Sequence, residues 1–123
     1  MNFRKLEVYR ASIRLLPLAT RIADALPTRY ASLADQLRRA SLSIPLNIAE
    51  GSGKTTGPDQ RKFYAIARGS TMECAVVLDA LEALELLDAA KESQADELLD
   101  SLVRMLSKMC LVQNVQDQVH VQV

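Results

Sequence analysis

The stretch Gly51-Ser52-Gly53-Lys54-Thr55-Thr56-Gly57 comes nearest to a chemical motif in this chain. A phosphate-cradling loop of the Walker type needs a preceding strand and a further glycine ahead of its Gly-Lys-Thr run. Ile48 stands where that glycine belongs, and the preceding residues have a helical pattern. The stretch therefore reads as a helix-to-helix turn whose Lys54 can touch a phosphate electrostatically. His120 is the only histidine, so it forms neither a catalytic triad nor a metal site with a second imidazole. No Arg and His lie a few residues apart as a helical ribonuclease would need. Cys74 and Cys110 fall on apolar faces and read as small core fillers. The carboxylate pairs Glu82 and Glu85, and Asp96 and Glu97, lack the Glu-x-x-His partner of a di-iron bundle. No catalytic residue, metal or cofactor is expected.

One polar set remains: Ser43, Asn47 and Glu50, then Ser70 and Glu73. Asn47 falls close to an apolar stripe and Ser70 within one. Buried polar groups need partners. The set therefore predicts a buried, hydrogen-bonded layer that fixes helix register, with a functional pocket as the alternative.

The elements that would position these residues are helices. In 123 residues, 49% are hydrophobic and 24% charged, an ordinary globular composition for one domain. Residues 6–26 carry Val8, Ile13, Leu15, Leu16, Leu18, Ile22 and Leu26 around a narrow strip of Arg10, Arg14 and Arg21. Residues 32–50 place Leu33, Leu37, Ala40, Ile44 and Ile48 in one stripe, with Ser32 as N-cap and Gly51 as the stop. Pro17 predicts a kink or a split in the first segment, and Pro45 a bend in the second. Residues 58–87 repeat Phe63, Ala67, Ser70, Cys74, Val77, Leu81 and Leu84 at spacings of three and four. Residues 93–113 turn Leu98, Leu99, Leu102, Leu106, Met109 and Cys110 inward, and Asp96, Glu97, Asp100, Arg104 and Lys108 outward. Short connections at 27–31, 51–57 and 88–92 then imply an all-α, antiparallel up-down-up-down four-helix bundle over residues 1–118. Residues 119–123 form a frayed tail whose Val119-His120-Val121 alternates like an edge strand.

Three of the four segments have apolar residues left over. Leu42 and Leu46 lie opposite the inner stripe of the second segment. Ala65, Met72 and Val76 form a second stripe on the third. Burying one such large side chain is worth about 1.5–3 kcal/mol relative to exposure. The expectation is a homo-oligomer that covers Leu42, Leu46, Ala65, Met72 and Val76.

Charge is balanced overall but not along the chain. Residues 1–70 hold 12 Lys and Arg against 5 Asp and Glu, whereas residues 71–123 hold 3 against 10. Basic strips of Arg10, Arg14 and Arg21, of Arg38 and Arg39, and of Lys54, Arg61, Lys62 and Arg68 are candidate phosphate contacts. Arg38 or Arg39 could instead pair with Asp35 across subunits. No run of about 18 uncharged apolar residues is present and the N-terminal residues lack a signal-peptide pattern, so the expected compartment is the cytoplasm, away from membranes.

Two longer runs carry a family resemblance. Gln36-Leu37-Arg38-Arg39-Ala40-Ser41-Leu42-Ser43-Ile44-Pro45-Leu46-Asn47-Ile48-Ala49-Glu50-Gly51 resembles the most distinctive run of the bacterial four-helix-bundle proteins linked to 23S rRNA intervening sequences. Phe63-Tyr64-Ala65-Ile66-Ala67-Arg68-Gly69-Ser70-Thr71-Met72-Glu73 resembles their second run, and Phe3-Arg4-Lys5-Leu6-Glu7-Val8-Tyr9 their opening. The resemblance implies a four-helix bundle assembled as a ring, commonly a homopentamer. Relatives include the accessory protein of diversity-generating retroelements, which binds nucleic acid and a reverse transcriptase. Together these readings predict a non-catalytic oligomer that binds RNA or DNA non-specifically through its basic strips. The alternative is a protein scaffold that docks a reverse transcriptase or another nucleic-acid-handling partner on its acidic surface.

Overall fold

The computed structural model describes residues 2–122, with side chains as far as Leu111. It is all-α: helices α1 (Glu7–Asp24), α2 (Ala31–Ser52), α3 (Gly57–Ala83) and α4 (Ala89–Gln122), with no strand among the described residues. Single 3₁₀ turns at Asn2–Lys5 and Thr28–Tyr30 lead into α1 and α2. The run Val119–Val121, which alternates like a strand, is helical backbone as far as Gln122. The fraying expected of residues 119–123 falls where side chains lie outside the described residues.

Each helix packs against two others: α1 on α2 and α4, and α3 on α2 and α4. The core is built from the inner stripes. Leu15, Leu37, Ile44, Ile48, Leu81, Leu102 and Leu106 are the largest side chains fully removed from water. Leu84 leaves its stripe because α3 has already ended, and it is exposed.

Local chemistry explains the ends. Thr56 caps α3, its hydroxyl accepting from the Asp59 N–H at 3.3 Å, with Pro58 in the first turn where its missing N–H costs nothing. The other end of α3 closes when the Leu86 N–H donates to the Leu81 carbonyl at 2.8 Å and that of Glu85 to Glu82 at 2.9 Å. That closure puts Glu85 at a φ of 58°, a left-handed conformation usually given to glycine. The Asp88 carboxylate caps α4, accepting from Ala90 at 2.8 Å, so the helix starts one turn before Ser93.

Three local expectations are corrected. Ser32 is not a cap: α2 begins at Ala31 straight from the 3₁₀ turn, and no side chain caps it. Pro17 does not split α1, which runs through it. Gly51 does not stop α2, which continues to Ser52 and is closed by Gly53. Gly51 is instead a buried contact point between α2 and α3. A Cβ there would lie 2.8 Å from Cε1 of Tyr64, 3.0 Å from its Cδ1 and 3.1 Å from Cβ of Phe63. Tyr64 is itself buried, so its ring has nowhere to go.

Gly51→Ala therefore sets better helix propensity against overpacking. Overpacking prevails, and the substitution lowers unfolding free energy by about 1–2 kcal/mol in urea titrations. An unchanged or higher midpoint would mean that the α2–α3 contact is loose.

Candidate assembly and nucleic-acid interface

The stripes opposite the core are the first part of the site. Leu42 and Leu46 on α2 are 49% and 60% exposed, and Met72 and Val76 on α3 are 45% and 64% exposed. Ala65 and Ile66 are exposed beside them. A shallow groove of about 300 Å³ lies at Met72 and Val76, lined also by Gln36, Gly69, Glu73 and Val77. Gly69 lines it in mid-helix. A Cβ on Gly69 would meet nothing within 4 Å, so no contact inside the chain calls for glycine there. Mid-helix glycine costs about 1 kcal/mol against alanine.

Behind this face lies the polar set. The Ser43 and Ser70 hydroxyls share a hydrogen bond of 2.8 Å between α2 and α3. The Asn47 amide donates to the Ser43 carbonyl at 2.8 Å and to its hydroxyl at 3.0 Å. Glu50 and Glu73 do not belong to this layer. Both are exposed: Glu50 pairs with Lys54 at 3.7 Å, and Glu73 accepts from Gln36 at 3.1 Å. Carboxylates keep their hydration where a rim position offers it, so the layer shrinks to Ser43, Asn47 and Ser70.

The cations divide into two groups. Arg38 binds Asp24 at 2.7 Å and Asp35 at 3.1 Å within the same chain. Its hydrogen bond to the Asp24 carboxylate comes first among the effects that raise its pKa. Arg39 donates to Gln36 at 3.3 Å, and Arg21 is exposed on the last turn of α1. Arg10 and Arg14 are exposed towards the start of α1, with the Arg10 Nε donating to the Arg4 carbonyl at 3.1 Å. Lys54 and Lys62 hold their ammonium groups 5.0 and 5.8 Å from the centre of the Phe63 ring, which is half-buried. The Arg68 Nε donates to the Ser107 hydroxyl at 2.6 Å, fastening α3 to α4 between Arg104 and Lys108. Both Arg61 and Arg68 act electrostatically on the Cys110 thiol, although burial prevails and raises its pKa. Arg104 and Lys108 belong with this group. Their i, i+4 spacing was visible in the sequence, but their neighbour Arg68 lies far away along the chain.

Acids gather elsewhere. Glu92 at the start of α4 is hydrogen-bonded to Glu82 near the end of α3, and that bond raises its pKa, helped by desolvation and by the charges of Glu82, Asp96 and Asp79. Asp96 is raised too, first by burial and then by Asp100, Asp79 and Glu82. Burial pushes the Cys74 thiol up to about 12, so it stays protonated and inert at neutral pH. Among the described residues no group of three or more His, Cys, Asp or Glu could hold a metal ion, and no helix is long and apolar enough to cross a membrane.

These features define a small all-α protein whose distinctive chemistry lies on its outer surfaces. Residues 4–108 match the 23S rRNA-intervening sequence protein family, and the chain belongs to it. No curated protein matches the chain.

A test of the acidic cluster follows from the sign of its shifts. A carboxyl whose pKa is raised by folding binds more protons in the native state, so its ionisation weakens the fold as pH rises above its ordinary 4.5. Glu92→Gln should melt higher than wild type at pH 7, with the gap closing towards pH 4 and shrinking in high salt. Equal melting at both pH values would show that Glu82 and Glu92 do not interact.

Proposed function

We propose that this protein is a non-catalytic homo-oligomer, a ring of antiparallel four-helix subunits, that holds RNA or DNA through its exposed cations. The outward apolar face of Leu42, Leu46, Met72 and Val76 is the observation that carries this reading. Met72 and Val76 share one groove with a glycine that no contact inside the chain calls for, and Leu42 and Leu46 are exposed on α2, which is what a second helix needs for close approach. The antiparallel order is supported by the cross-helix bonds. Ser43 meets Ser70 while Gln36 meets Glu73, so positions rise on α2 as they fall on α3. In the same sense Arg38 meets Asp24, Arg68 meets Ser107 and Glu82 meets Glu92. The family resemblance adds five as the expected ring size, and the cytoplasm is the proposed setting.

Binding rather than catalysis fits a groove whose only charged group, Glu73, is exposed and already accepts from Gln36. The nucleic-acid reading rests on exposed Arg and Lys side chains, which contact phosphates without reading bases. Binding is then non-specific and salt-sensitive. The acidic cluster of Asp79, Glu82, Glu92 and Asp96 favours one second reading, a scaffold that docks a basic partner such as a reverse transcriptase.

The test compares wild type with the double variant Leu46→Glu, Val76→Glu in gel shifts on structured and single-stranded RNA at about 50 mM salt. Wild type shifts both RNAs. The variant, helical by circular dichroism but unassembled, binds about tenfold or more weakly because linked sites no longer act together. Absence of any wild-type shift overturns the nucleic-acid reading. Equal binding by an unassembled variant overturns the dependence on assembly.

A further inference from the structure

Dividing α1, α2 and α3 at their midpoints, and α4 between Asp100 and Ser101, converts the uneven charge along the sequence into a polarity in space. One end takes residues 2–15 with the 3₁₀ turn and start of α1, residues 42–70 with the α2–α3 connection, and residues 101–111 of α4. It holds ten Lys and Arg against three Asp and Glu. The other end takes residues 16–41 and 71–100, and holds five against eleven. The bonds already described tie these segments together. Arg68 on Ser107 joins the basic halves of α3 and α4, the Glu82 and Glu92 carboxyls face each other between their acidic halves, and Arg38 on Asp24 joins α1 to α2 at the acidic end.

We infer that the nucleic-acid contact is this basic end of the subunit, centred on Lys62, Arg68, Arg104 and Lys108 with Arg10 and Arg14, and that Arg21, Arg38 and Arg39 take no part in it. The inference rests on the nucleic-acid reading above and narrows it to one surface. Arg38 has two carboxylates of its own, and Arg21 and Arg39 share an end whose field repels phosphate. At the basic end Arg68 is anchored by a neutral hydroxyl, with Arg104 and Lys108 exposed on either side of that hydroxyl in sequence. These cations come from separate helices, so one phosphate strand can meet several at once. The acidic end of a second copy is the competing occupant. It is disfavoured because the contact would be almost wholly charged, whereas stable protein interfaces have apolar centres depleted of charge. In a ring with subunit axes aligned, the two ends become a basic rim and an acidic rim, so nucleic acid approaches from one side only.

The test uses the full chain and a fluorescein-labelled single-stranded RNA, read by fluorescence anisotropy from about 50 to 200 mM KCl. The basic-end variant is Lys62→Glu, Arg104→Glu, Lys108→Glu, and the control is Arg21→Glu, Arg39→Glu. All five positions are exposed, and circular dichroism with sedimentation checks fold and assembly. The basic-end variant should lose about tenfold or more in affinity and show a shallower salt dependence, while the control changes less than about twofold. Comparable losses in both variants, or a larger loss in the control, overturn the assignment to one end while leaving nucleic-acid binding intact. No binding by wild type overturns this inference together with the reading beneath it. Low-salt growth of wild-type particles that RNA does not compete with, and that the basic-end variant abolishes, assigns the end to a second copy instead.

Discussion

Burial of apolar surface holds this chain together, at about 25 cal/mol for each Å² removed from water. Helices α2 and α3 carry more of that surface than one four-helix core accommodates. A helix at a subunit's edge can satisfy its inner stripe and still hold a second one outside. Leu37, Ile44 and Ile48 go inward on α2, leaving Leu42 and Leu46 outside. Cys74, Val77 and Leu81 do the same on α3, leaving Met72 and Val76 outside. The geometry of the pair follows from that division. Gly51 lets α2 approach the buried Tyr64 closely, and the Ser43–Ser70 bond sets the register a few turns away.

Charge works on a longer scale than packing. The exposed arginines differ in what surrounds them: Arg38 lies against Asp24 and Asp35, whereas Arg68 lies against a serine. Equal residue types therefore have unequal capacity for an external phosphate. At the opposite end the carboxylates crowd one another, and Glu92 holds a proton more tightly for it. In the proposed assembly, apolar excess governs how copies meet and charge polarity governs which direction a polyanion comes from.

Much of the architecture was legible because period depends only on local spacing. Ala67, Ser70, Cys74, Val77 and Leu81 recur at three and four, and all five are buried. The outer stripes were legible for the same reason. What stayed hidden depends on contacts between distant residues. Gly51 looked like a helix stop because nothing nearby in sequence shows that Tyr64 will pack on it. Glu50 and Glu73 shared the angular position of a polar layer, but each reaches water and a polar partner at the rim. Asp24 was not foreseen as the partner of Arg38 because a connection and a 3₁₀ turn separate them. Arg104 and Lys108 looked like a solvated helix face until Arg68 was found fastened between them.

Everything functional rests on the outer face of α2 and α3 being covered by another copy, and sedimentation equilibrium of the wild-type chain at micromolar concentration tests that most directly. The expected result is one species whose mass is a whole multiple of 13.6 kDa, with no detectable monomer. A well-folded particle of 13.6 kDa, unchanged as concentration rises, would contradict it.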